Sequence, residues 1–162
     1  MAATRETVID SNPLNSHVPR VLLRTKVVIV GDEAVGKTSL VQTFAHGVGN
    51  CPKQYMMTLG VEFSVKEVLL TSNASVDLFL HTTGGQPIAN QRAEVMTYPF
   101  WANAQYIVCV FDIGSRQSFQ NCTRWIQQVR KCNSTIPTEK LPCLLVGNKS
   151  DLRNDVSHLT SR

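Results

Sequence analysis

Apolar residues in this chain come in two rhythms. The run KVVIVG, residues 26–31, is continuous and β-branched and stops at a glycine, the pattern of a strand covered on both faces of a parallel sheet. After it, KTSLVQTFAHG holds helix formers with apolar Leu40, Val41 and Phe44 and closes on Gly47, which predicts a helix. VEFSVKEVLL alternates apolar Val61, Phe63 and Val65 with polar Glu62, Ser64 and Lys66, and SVDLFLH follows across the turn-like TSNAS, so a hairpin is expected. QYIVCVFD and LPCLLVGN read as two further buried strands. Between them, SRQSFQNCTRWIQQVRKC spaces Phe119, Cys122, Ile126 and Val129 as one stripe of an amphipathic helix. Residues 1–23 show neither rhythm and contain Pro13 and Pro19, so they read as a mobile leader, with residues 24–162 as the domain.

Strands alternating with helices predict an α/β fold, a doubly wound sheet with helices on both faces and a ligand at the carboxyl ends of the strands. A chain of 162 residues, 43% hydrophobic and 17% charged, suits one domain with a real core. The net charge of +4 comes from scattered basic residues, which argues against a nucleic-acid face. Five cysteines without a CxxC pair point to a reducing, cytoplasmic setting, and four histidines without ligand spacing argue against zinc. No window approaches the length of a membrane span.

The strongest motif is Gly31-Asp32-Glu33-Ala34-Val35-Gly36-Lys37-Thr38, a full GxxxxGK[ST] pattern set between a predicted strand and a predicted helix that continues through Ser39. Backbone N–H groups of such a loop face a β-phosphate and the helix N-terminus adds partial positive charge. Lys37 neutralises the phosphates and the Thr38 hydroxyl ligates Mg2+. A second motif, Asn148-Lys149-Ser150-Asp151, follows a predicted strand. The Asp151 carboxylate can accept from two guanine donors that adenine lacks, while Asn148 and Lys149 hold the loop to the base, which chooses GTP over ATP. An ATP-dependent P-loop kinase is disfavoured by this motif and by the lack of a lid-like arginine cluster.

Together the phosphate loop, MTLGVEF with Thr58, TGGQ and NKSD resemble, in order over residues 25–153, the Rab branch of the small GTPases of the Ras superfamily. More narrowly, PKQYMMTLGVEFSVKEV and SFQNCTRWIQQVR resemble the Rab-like GTPase of intraflagellar transport complex B. The resemblance implies GTP or GDP with Mg2+ as ligands, Thr58 joining Thr38 on the metal, Gly85 contacting the γ-phosphate through its backbone, and Gln86 orienting the attacking water. It also implies a protein partner, a small β-sandwich subunit of the transport complex, and a place in the cilium or flagellum.

The chain departs from the family's pattern in four ways. Thr82 stands at the magnesium-associated aspartate and Gly84 at the usual alanine; Glu33 fills a loop position where many relatives carry glycine; Cys51 replaces a base-stacking aromatic. The chain also stops at Arg162, before the family's last strand and helix, so an incomplete domain is expected, as a fragment, a splice form or a fold finished differently. Its last residues, LTSR, hold no prenylation cysteine, so no lipid anchor is expected. Two readings follow: a switch of slow intrinsic hydrolysis in ciliary or vesicle transport, or a non-cycling scaffold subunit that holds nucleotide structurally.

Overall fold

The computed structural model describes residues 5–8, 20–50, 60–85, 99–133, 137 and 140–152. Its elements are β1 (Arg5–Val8), β2 (Arg20–Val30), α1 (Lys37–His46), a 3-10 turn (Val48–Asn50), β3 (Val61–Thr71), β4 (Ala74–Thr83), β5 (Tyr106–Asp112), α2 (Arg116–Lys131) and β6 (Cys143–Asn148). They form a mixed sheet in the order β3-β4-β2-β5-β6. The β3–β4 hairpin is antiparallel, while β4 and β5 flank β2 in parallel and β6 continues in parallel beside β5.

The apolar run of β2 is buried on both faces, as its continuity requires. Val28 and Val30 pack with Ile107 and Cys109 under Cys122, Trp125 and Val129 of α2, and Trp101 stands edge-on to Trp125 with centroids 6.4 Å apart. Val27 and Ile29 turn the other way, toward Leu80 and Val41 of α1. Helices therefore cover both faces. Each of these fully buried valine or isoleucine side chains contributes roughly 1.5–3 kcal/mol of apolar burial.

The structure departs from the sequence expectation in four places. First, β2 begins at Arg20 and not at Lys26, and β1 pairs antiparallel with its first residues, from Arg5 opposite Leu23 to Val8 opposite Arg20. This pairing satisfies backbone groups, so it needs no hydrophobic alternation and leaves none to read. Second, the inward stripe of α2 is Ser118, Cys122, Trp125 and Val129; Phe119 is half-exposed and meets Phe111 edge-on at 5.0 Å. Burying the large indole rotates the helix by part of a turn, carrying Phe119 to the flank.

Third, Phe63 and Val65 alternate as read, yet both are exposed, because β3 is the edge strand and α2 lies over β5, three strands away in the sheet order. Fourth, β6 is not a buried strand. Leu144 and Leu145 are exposed, since β6 ends the strand order and pairs on one side only among the described residues. Beside it, an apolar trough of about 880 Å3 runs between α1 and β6, with Phe44, Leu78, Tyr106, Val108 and Val146 among its walls. No helix among the described residues is long and apolar enough to cross a membrane.

Candidate nucleotide-binding site

The phosphate-loop motif lies where a doubly wound sheet puts its ligand, at the carboxyl end of the central strand β2. Gly31 has φ 142°, and a Cβ there would overlap the Val110 carbonyl oxygen of β5. Ala34 at φ 60° and Gly36 at φ 92° take the left-handed region, so the loop changes hand along its length. Such alternation turns successive N–H groups inward and makes an anion-binding concavity. Gly36 is the N-cap of α1 and supplies no side-chain cap, and no acidic residue occupies the first turn, where Thr38 and Ser39 sit half-buried. A helix N-terminus with neither a capping side chain nor an acidic first turn suits an anion.

Lys37 is 6% exposed, and its ammonium donates to the carbonyls of Gly31 at 2.9 Å and Asp32 at 2.7 Å. Burial brings its pKa down to about 8, against the opposing pull of the Asp32 and Glu33 charges. Glu33 and Ala34 lie exposed at the rim of the loop and Val35 is buried beneath it.

Two other chain segments meet this loop. Asn148, at the end of β6, donates through Nδ2 to the Val35 carbonyl at 2.9 Å, and a Cβ on Gly36 would collide with that amide. Gly85, buried just past β4, is pressed so closely on the loop that a Cβ would overlap the backbone of Asp32 and Glu33. Gly84 is tied in turn to Gly60 by an N–H···O bond of 3.0 Å. The phosphate loop, the TGG turn and the Asn148 corner, far apart in sequence, therefore form one structure.

Beyond Asn148 the chain reverses at Lys149, φ 62°, whose ammonium pairs with Asp112 at 2.7 Å. That bond holds the Asp112 carboxyl below its usual range. Asp151 follows in a short turn with its side chain exposed. Thr58, Gln86 and Cys51 lie outside the described residues.

The donors near the loop also bear on Mg2+. Among the described residues no cluster of three or more His, Cys, Asp or Glu side chains could hold a metal. Thr82, which the sequence resemblance aligns with a magnesium-associated aspartate, is 1% exposed, its Oγ1 buried without a hydrogen-bond partner among the described residues. Hydroxyl oxygens of Thr38 and Thr82 are neutral hard donors. They fit a Mg2+ that rides on phosphate oxygens and keeps several waters, and they do not make an all-protein cage.

Sequence reading did not find two further residues. Asn121 and Trp125 of α2 both hydrogen-bond the Asp32 side chain, across 89 and 93 residues. Their one visible signal was their own spacing of four along a helix, which puts them on one face without naming what that face meets.

Residues 26–161 match the model of the Ras family. The chain is 38% identical over 133 residues, 82% of its own length and 68% of the relative's, to the intraflagellar transport protein 27 homolog of Mus musculus. It is 34% identical over 140 residues to the homolog of Trypanosoma brucei brucei, covering 86% of this chain and 71% of that one. Ras-related protein Rab-7L1 of Rattus norvegicus is 39% identical over 128 residues, 78% of this chain and 59% of the relative. A phosphate loop built on β2, cross-tied to the Asn148 corner and matched over most of the chain, places it plainly: the chain belongs to the Ras family.

Proposed function

We propose that the chain binds guanine nucleotide with Mg2+ and works as a Rab-like GTPase of slow intrinsic hydrolysis in intraflagellar or vesicle transport, in or near the cilium or flagellum. The observation that carries this reading is the loop itself. Its left-handed residues Ala34 and Gly36, the N-terminus of α1 without a side-chain cap and the buried Lys37 ammonium lie together around one concavity. In this reading the loop's N–H groups and Lys37 bind the phosphates, and the Thr38 hydroxyl, with Thr58, carries the metal. Gly85 approaches the γ-phosphate through its backbone, and Asn148, Lys149 and Asp151 receive the base. Bound Mg2+ would supply charge neutralisation at the phosphates. Gln86 orients water, and Glu33 at the exposed rim crowds that approach, so turnover is slow. The relatives' names, which place them in intraflagellar transport, support a protein partner in that process; that this partner is a small β-sandwich subunit rests on the sequence resemblance alone.

A second reading, a subunit that holds nucleotide without cycling, is favoured by Thr82. A neutral buried hydroxyl stands where a carboxylate would support the metal. One experiment separates the two. The purified protein is denatured and the released nucleotide identified. GDP indicates turnover and intact GTP indicates holding. The nucleotide reading itself is lost if none is released and GTP competes no better than ATP for a fluorescent nucleotide. Asp151→Asn is expected to shift preference from guanine to xanthine, because the acceptor pair becomes a mixed donor and acceptor.

A further inference from the structure

An acidic side chain inside a phosphate-binding loop is electrostatically misplaced unless something holds its charge aside. Asp32 is such a residue. Its Oδ2 accepts from Asn121 Nδ2 at 2.8 Å and its Oδ1 from Trp125 Nε1 at 2.7 Å. Both carboxylate oxygens are engaged by neutral donors from one face of α2, and Trp125 is itself 4% exposed within the core. On its backbone side the same residue is pressed by Gly85, and its carbonyl accepts from Lys37. The loop is therefore gripped from α2 through a side chain and from the end of β4 through the backbone.

We propose that Asn121 and Trp125 are positioning residues for the phosphate loop, acting through the Asp32 carboxylate. They turn its charge toward α2 and hold the loop in its anion-binding shape before nucleotide arrives. The inference rests on the nucleotide-binding reading for its purpose and on the clamp geometry for its substance. A loop already held in the bound shape loses less freedom on binding, so releasing it weakens phosphate recognition and leaves base recognition alone.

The test uses the full chain with Asn121→Ala, which keeps a good helix former, and Trp125→Phe, which keeps the aromatic packing and deletes the N–H. Backbone 15N order parameters are measured without ligand, and affinities are measured for GDP, pyrophosphate and guanosine. Each variant is expected to lower the order parameters of residues 32–36 from about 0.85 to below about 0.6 while those of α2 stay rigid. GDP and pyrophosphate affinity should fall at least tenfold with guanosine unchanged. The chain has two tryptophans, so the Trp125 indole N–H resonance is readily assigned, and it should shift on Asp32→Asn and on pyrophosphate binding. Unchanged loop order parameters overturn the inference, as does an equal loss for GDP and guanosine or a loosening spread through α2. If the unaltered protein binds neither GDP nor pyrophosphate, the nucleotide reading fails and the loop order parameters alone decide the clamp.

Discussion

At Lys37 burial bears on stability and on the proposed phosphate binding through one side chain. Its pKa is about 8 in the folded protein against 10.5 in the unfolded chain. Between those values the unfolded state holds the extra proton, so this group makes stability rise with pH from about 8 to 10.5, and below about 8 the folded state bears the cost of a buried ammonium. Binding runs the other way, because phosphate needs the charged form. GDP affinity is expected to be level below pH 8 and to weaken by up to tenfold per pH unit above it, measured by calorimetry at fixed salt. Lys37→Ala should flatten that profile and lower affinity about a hundredfold, roughly 3 kcal/mol. Thr82 is the complementary case. Thr82→Asp puts a carboxylate where a 1% exposed hydroxyl has no partner among the described residues, so the nucleotide-free variant should unfold at lower urea. With GTP, the same charge about 5 Å from the metal should tighten Mg2+ by up to about a hundredfold, from roughly 3 kcal/mol at an effective dielectric of about 20. An unchanged magnesium midpoint in single-turnover assays would show that the lost carboxylate's role is met elsewhere.

The loops at the carboxyl ends of β2, β4 and β6 are coupled through glycines that bring backbones together. Gly36 combines a φ of 92° with the Asn148 amide lying where its Cβ would be. Gly36→Ala should therefore cost about 2–3 kcal/mol, from left-handed strain plus the displaced Asn148–Val35 hydrogen bond. Asn148→Ala removes the obstacle and the bond together. The double variant should accordingly be less destabilised than the sum of the singles, a coupling that urea unfolding of all four proteins measures.

Across the molecule, the phosphate-loop end of β2 is insulated from its other end. Val27 to Ile29 lie between β4 and β5, whereas among the described residues β1 pairs with β2 from Arg20 to Leu23. Deleting residues 1–9 removes β1 and is expected to lower stability by about 1–2 kcal/mol, the scale of a few net backbone hydrogen bonds. GDP affinity should stay within about threefold of the intact chain. A large loss of affinity on that deletion would mean that the strand supports the site through the sheet. The same sheet leaves β6 half-exposed beside its apolar trough, so the covered part of the core is centred on β2 and β5.

Local rhythm and local chemistry were enough to recover much of this protein. A continuous β-branched run such as VVIV can be satisfied only by burial on both faces, so β2 and the layered α/β class follow from neighbours in the chain. GxxxxGK[ST] is legible in adjacent residues and falls between strand and helix as read, and α1 runs from Lys37 to the residue before Gly47 as its pattern predicts. Other features depend on what lies across space. Only packing decided that Trp125 and not Phe119 turns inward, because the choice belongs to the sheet beneath the helix and not to the helix period. Only the strand order left Leu144 and Leu145 exposed among the described residues, since an apolar run does not say whether its strand is flanked on both sides. The Asp32 clamp lay furthest from view: a hydrogen bond depends on where two atoms end up, and 89 and 93 residues of chain must fold before Asn121 and Trp125 reach that carboxylate.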